Sequence, residues 1–347
     1  MLGSATLVVA VAVGSVPTQS EILEVEVQGP SGVLAGTPLI PDTGDPSPLV
    51  VVFISGSGPQ DRDSTLFGHK PFLQVAEALA ERGVASLRCD DRGVGASKGD
   101  RSKATSLDYA EDAKAQLRYL IDDRGFDLRH VGIVGHSEGG MIGAFLAAGP
   151  NPPIAFAVLM AGPGISGGAV ITGQTEDLFR AARVDPGLAR VAVERNRALI
   201  DAVGAGAGEP EVRPLVREFV RAQIECDTGH APAEPAVDEA TRELAVALVN
   251  PWMRNWIRMD PAPAYARCAV PTLALFGGDD RLVSPERNVG PIEKASRDAP
   301  VKPEIVVFNG LNHLFQKSGK GTEDYAAIKT GVEPEVLEKI AVWVSER

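Results

Sequence analysis

This sequence is short of the residues that would staple, chelate or anchor a chain. Only three cysteines, Cys89, Cys226 and Cys268, occur in 347 residues. None belongs to a Cys-x-x-Cys pair, so neither a structural zinc site nor a redox pair is suggested. Free thiols are the plain reading; one disulfide with a thiol left over is the alternative for an exported protein. Histidine is scarce too, with five in all, which shortens the search for a catalytic base. The apolar stretch at residues 7–13 is too short for the roughly 20 residues that a membrane-spanning helix needs. No Lys or Arg precedes it and no Ala-x-Ala cleavage site follows. Its valines suit a strand as well as the core of a signal peptide. Residues 1–20 are therefore left as an uncertain N-terminal segment, strand or signal-like, and the compartment, cytoplasmic or exported, stays open. Positive charge is in deficit: 34 Lys and Arg against 46 Asp and Glu give a net charge of −12. That balance argues against nucleic acid and against anionic membrane surfaces as partners. There is no Gly-Lys-Ser/Thr phosphate loop and no internal repeat.

What is present is an alternation of strand-like and helix-like segments. Residues 21–27 alternate in polarity like an edge strand. A Gly-Pro-Ser-Gly turn at 29–32 leads to a partner strand at 33–40. Residues 49–54 are a continuous apolar, β-branched run, as expected of a strand covered on both faces. A helix at 72–82 follows, closed by Gly83, then a strand at 84–88. Next come a helix at 106–122, with Asp108, Glu111 and Asp112 in its first turns, a strand at 131–134, a helical run at 141–148 and a strand at 154–160. Between about residues 165 and 264 the pattern turns helical, with segments at 178–183, 189–203 and 214–224 and Gly/Pro/Ala-rich breaks. Strands at 271–276 and 304–308 and helices at 285–297 and 334–344 complete the chain. This predicts a mainly parallel sheet with helices on both faces. Residues 21–164 and 265–347 would form that core, and residues 165–264 a helical insertion above it.

The stretch Gly135-His136-Ser137-Glu138-Gly139-Gly140 lies between a predicted strand and a predicted helix. A serine between glycines at such a turn is a nucleophile elbow: the sharp turn lifts the hydroxyl above the sheet, and the glycines allow strand and helix to approach. A serine hydroxyl needs a base, usually a histidine oriented by a carboxylate. On this architecture the order along the chain is serine, acid, histidine. Of the five histidines, His313 alone follows both Ser137 and the last predicted strand. His69 is out of order as a base and is a candidate substrate contact; His136 is expected to pack in the elbow and His230 to be solvated. The acid should follow the strand at 271–276, where Gly277-Gly278-Asp279-Asp280 stands. Asp280 is favoured by its spacing from Leu282-Val283, with Asp279 as the alternative.

A tetrahedral oxyanion needs two N–H donors. Glu138, directly after the nucleophile, would supply one. The loop Ser55-Gly56-Ser57-Gly58-Pro59-Gln60 would supply the other, from Ser57 first or Gly58 second. The charge clusters Asp61-Arg62-Asp63 and Asp90-Asp91-Arg92 read as ion pairs ordering loops under the site, rather than as direct substrate contacts. In the insertion, Phe179, Phe219, Trp252, Met253 and Trp256 are candidates for an acyl pocket, with packing inside the insertion as the plain alternative. Trp252 and Trp256, with His69, are the pocket residues singled out.

Taken together, these motifs resemble those of the α/β-hydrolase superfamily. More narrowly, the chain resembles the bacterial serine esterases of the EstD-like group, often labelled S33-type hydrolases. The resemblance rests on residues 56–63, His69-Lys70-Pro71-Phe72, residues 87–95 with Ser97, the elbow at 135–140, and Asn312-His313-Leu314-Phe315-Gln316. It implies an α/β-hydrolase fold with a lid at residues 165–264. It also implies a carboxylesterase acting on short-to-medium acyl esters through an acyl-enzyme at Ser137, with Asp280 and His313 as partners and no metal or organic cofactor. Cys89 stands where relatives often carry an aromatic residue, and targeting inferred from relatives with an extra N-terminal domain is not carried over. Other acyl transfers on the same triad (thioesterase, amidase, peptidase or acyltransferase) and a non-catalytic ligand-binding homologue remain alternatives. Oligomeric state is not legible.

Overall fold

The computed structural model describes residues 24–45, 47–317 and 325–347; the N-terminal segment treated above as strand or signal-like lies outside them. Eight strands form one sheet: β1 (Val25–Gly29), β2 (Gly32–Leu39), β3 (Val50–Ile54), β4 (Ala85–Cys89), β5 (Val131–His136), β6 (Phe156–Met160), β7 (Thr272–Gly277) and β8 (Glu304–Phe308). Their spatial order is β1-β2-β4-β3-β5-β6-β7-β8. β1 and β2 form an antiparallel hairpin, and β2 meets β4 antiparallel. From β4 to β8 all pairings are parallel.

The apolar run of β3 explains its central place. Successive side chains of a strand point to opposite faces, and both faces here are covered by helices. Val50, Val52 and Ile54 join one core with residues of α2 (Ser106–Arg118), α3 (Glu138–Leu146), α9 (Ala262–Tyr265) and α10 (Pro285–Ala295). Val51 and Phe53 join the other, against α1 (Pro71–Ala80) and α11 (Pro334–Ser345). Local signals set the helix starts. Pro71 opens α1, where a missing N–H costs nothing. Thr105 N–H donates to the Asp108 carboxylate at 2.9 Å to cap α2. That helix ends at Arg118, and a single π-helical turn follows at Tyr119–Asp123, short of the regular helix expected to 122.

Six helices run between β6 and β7: α4 (Gly167–Ala181), α5 (Pro186–Ala205), α6 (Glu209–Thr228), α7 (Glu234–Leu248), α8 (Pro251–Arg258) and the short α9. α5, α6, α7 and α8 share a core of their own that includes Leu199, Val216, Phe219, Val237 and Ile257. Asn250 caps α8, its side-chain oxygen accepting from Met253 N at 2.7 Å. α8 reaches α3 through Trp256, which packs with Met141. The three cysteines are free thiols. Among the described residues no helix is long and apolar enough to cross a membrane.

Candidate active site

The loops that follow β3, β5, β7 and β8 meet at the C-terminal edge of the parallel strands, where open α/β sheets hold their ligands. Ser137 occupies the corner between β5 and α3 with φ 55° and ψ −113°. A left-handed backbone at a non-glycine residue costs about 1–3 kcal/mol and persists only where its surroundings enforce it. Here Ser137 N–H donates to Met160 O at 2.8 Å. A Cβ on Gly135 would lie 2.2 Å from the Gly139 carbonyl oxygen, and one on Gly139 would lie 2.0 Å from that of Ile54. Strand, helix and the start of the β3 loop therefore touch backbone to backbone, and only glycine fits between them.

Asp280 sits in the turn after β7 and is 3% exposed. Its Oδ1 accepts from Leu282 N at 2.8 Å and Val283 N at 2.9 Å, and its Oδ2 accepts from His313 Nδ1 at 2.7 Å. Burial alone would raise this carboxyl, but neighbouring His313 and the three hydrogen bonds outweigh it and hold the group below the usual carboxylate range. Asp279 is exposed; its backbone N–H donates to Leu311 O, and it makes no side-chain bond to His313.

His313 lies in the turn after β8. Asn312 Oδ1 orders that turn by accepting from Leu314 N at 3.0 Å and Gln316 N at 2.9 Å, and His313 N–H donates to Tyr325 Oη at 3.2 Å. With the Nδ1 proton directed at Asp280, Nε2 is the ring nitrogen left with a lone pair. His136 packs in the elbow as expected, and it also does something the sequence did not disclose. Its Nε2–H donates to the carbonyl oxygen of His313 at 3.0 Å. Burial and the nearby His313 push His136 down to about 3, so it serves as a neutral donor.

Ser137, His136 and His313 line one cavity of about 350 Å³. Gly56, Ser57 and Gln60 contribute from the β3 loop, Ser64 and Leu66 from the segment after it, and Trp252, Met253 and Trp256 from α8. The two tryptophan rings stack with centroids 6.1 Å apart. Phe179 and Phe219 are instead buried within the helical segment. Ser57 is placed at the cavity; Gly58 is not. It occupies an exposed turn at φ 91°. Gly56 takes the inner position: a Cβ there would come within 3.3 Å of both Ser137 Cβ and His136 Nδ1. Glu138 opens α3, and the first N–H of a helix has no acceptor within it. Its side chain is buried and accepts from Trp252 Nε1 at 3.0 and 3.1 Å. His69 does not line the cavity. Its Nε2–H donates to Ile328 O at 2.9 Å and its backbone bridges to Leu66; nearness in sequence to a site loop did not fix the direction of its ring.

The charge clusters resolve mostly into ion pairs. Arg62 grips both oxygens of Asp90 at 3.1 and 2.9 Å, Asp63 pairs with Lys70 and Arg88, and Arg92 Nε meets Asp112 at 2.6 Å. Among the described residues, no group of three His, Cys, Asp or Glu side chains is arranged to hold a metal ion.

The family model of the Alpha/beta hydrolase family matches residues 51–326. Esterase EstD of Thermotoga maritima is 26% identical over 329 residues, which cover 94% of this chain and 68% of that protein. Among solved structures, the Pyrococcus furiosus esterase Pf2001 superposes with a TM-score of 0.55 at 15% identity, over 94% of this chain and 91% of that one. A proline iminopeptidase of Mycobacterium smegmatis does so with a TM-score of 0.54 at 15% identity, over 93% and 99%. At these identities the two structures speak for the fold alone.

Proposed function

The chain belongs to the alpha/beta hydrolase family, and from that premise we propose that it is a serine carboxylesterase acting on short-to-medium acyl esters. The observation that carries the reading is the shared cavity of Ser137 and His313, with His313 Nδ1 bonded to a buried Asp280. In the proposed cycle His313 Nε2 takes the Ser137 proton as Oγ attacks the ester carbonyl, and later returns it to the leaving alcohol. Asp280 keeps the ring oriented and stabilises its cation. The N–H groups of Ser57 and Glu138 receive the oxyanion, a contribution of roughly 3–4 kcal/mol each. Water then attacks the acyl-enzyme and the acid leaves. The similarity to EstD supports an ester substrate. So does the cavity wall, which among the described residues carries no Asp, Glu, Lys or Arg to serve as an ionised receptor for a peptide terminus. The helical segment 165–264 would act as the lid, with Trp252 and Trp256 as the acyl-side wall.

The test is hydrolysis of p-nitrophenyl esters from acetate to palmitate by wild type and Ser137→Ala. Turnover confined to the shorter chains and lost in the variant is expected. Full activity in Ser137→Ala would sink the proposal; silence on every ester from folded wild type would move it to another acyl group.

A further inference from the structure

One acidic residue of the charge clusters does not follow its neighbours. Asp91 carries no cation. Its Oδ1 accepts from Ser55 Oγ at 2.6 Å and its Oδ2 from Gln60 N at 2.9 Å, while its own N–H donates to Gln60 O at 3.1 Å. A single carboxyl thus ties together the first and last residues of the loop that holds Gly56 and Ser57. Glu138 meets the same loop at a second point. Its carboxyl, 2% exposed, takes both bonds from Trp252 Nε1, and the Ser57 and Ser106 hydroxyls face it. Ser106 Oγ is buried and makes no hydrogen bond among the described residues. No Lys or Arg there lies within ion-pair distance of Asp91 or Glu138: Arg62, Arg88 and Arg92 are taken by Asp90, Asp63 and Asp112.

Two carboxylates without a cation, Glu138 buried and Asp91 half-buried, beside a loop that must receive an oxyanion would oppose the charge that develops there. We propose that Asp91 and Glu138 are positioning residues that clamp the oxyanion loop at Ser55, Ser57 and Gln60, and that the pair holds one proton in the active enzyme. A protonated Asp91 can still accept from Gln60 N with one oxygen while its O–H turns to Ser55 Oγ, so the clamp survives with only one negative charge behind the loop. Burial, reinforced by Glu138 and Asp112, pushes Asp91 up to about 7, and burial also raises Glu138. The other groups facing the pair leave this arrangement intact. Arg92 is bonded to Asp112, Asp90 to Arg62, Tyr109 is pushed up to about 12, and the half-buried Cys89 thiol is raised well beyond the neutral range.

The proposal rests on the esterase reading, and its test separates the two. kcat and KM for p-nitrophenyl acetate are measured across pH for wild type, Asp91→Ala and Asp91→Asn, alongside labelling of Ser137 by a fluorophosphonate. Wild-type kcat should decline above about pH 7. Asp91→Ala should lose kcat on the order of 10- to 100-fold with KM within about twofold, because transition-state stabilisation alone is impaired. Asp91→Asn, an amide in the place of the protonated acid, should recover most of that loss and abolish the alkaline decline, which a merely structural role would not do. A wild-type kcat that stays flat above pH 7 overturns the proposal even if neither variant folds. So does an Asp91→Asn profile that matches wild type, or an Asp91→Ala variant with wild-type kcat. In those cases, with Ser137 labelled and turnover intact, the esterase reading stands without it. If Ser137 neither labels nor turns over, both fall.

Discussion

At the scale of the residue, the two adjacent carboxyls after β7 make the sharpest contrast. Asp280 and Asp279 are chemically identical and one peptide apart, yet one is buried against His313 and the other faces solvent. Asp280→Asn should lower kcat on ester substrates on the order of 10,000-fold by presenting the wrong hydrogen-bonding partner to Nδ1. Asp279→Asn should leave kcat within about threefold, since a surface polar exchange away from the site perturbs little. Steady-state kinetics on p-nitrophenyl acetate separates them, and equal losses would contradict the proposed assignment. The spacing to Leu282-Val283 that pointed to Asp280 has a physical counterpart, because both backbone N–H groups close onto its carboxylate. The roles of His69 and His136 were not readable. Each ring bonds a carbonyl far along the chain, at Ile328 and His313, and no local pattern encodes a partner more than 170 residues away.

At the scale of the element, the elbow depends on backbone contact between β5, α3 and the β3 loop. Gly139→Ala would place a methyl group against the Ile54 carbonyl, and neither partner is a side chain that can swing aside. Overpacking of this kind costs about 1–3 kcal/mol, occasionally more. A thermal melt should show Tm lowered by several degrees, with ester turnover reduced more than stability alone would require; an unchanged Tm would mean the strand and helix can separate freely. The strands and the elbow were legible because their apolar runs and glycines act locally. β8 has the predicted bounds, Glu304–Phe308, although it is only half-buried. The insertion was legible as helical but not in the bounds of its individual helices. α6 spans Glu209–Thr228, beyond the expected 214–224 at both ends, and α7 starts at Glu234, inside the Gly/Pro/Ala-rich break expected at 228–235. Pro210 and Pro235 stand in the first turns of their helices, where a missing N–H costs nothing, while Pro214 lies inside α6 and forgoes one backbone bond; proline thus misleads as a stop signal.

At the scale of the whole molecule, acid stability should carry the mark of His136. Its folded form binds a proton only near about 3, against an unfolded value of about 6.5. The unfolded chain therefore binds protons more readily below pH 6.5, and the native state loses stability as pH falls from there toward 3. By linkage this amounts to about 2–3 kcal/mol between pH 6.5 and 4.5. His136→Gln retains a donor for the His313 carbonyl but does not titrate, so urea unfolding of that variant should lack this part of the acid loss. A wild type and variant that weaken in parallel would refute it. A different kind of coupling spans the molecule at Leu282. Its N–H holds the Asp280 carboxylate, and its carbonyl receives Gln174 Nε2 from α4 at 2.9 Å, while Asp177 of the same helix is gripped by Arg287 of α10 at 2.8 and 2.7 Å. Pivoting α4 away would drag on the peptide that steadies the acid. α4 is thus moored to the sheet layer at two points, the Asp280 turn and α10.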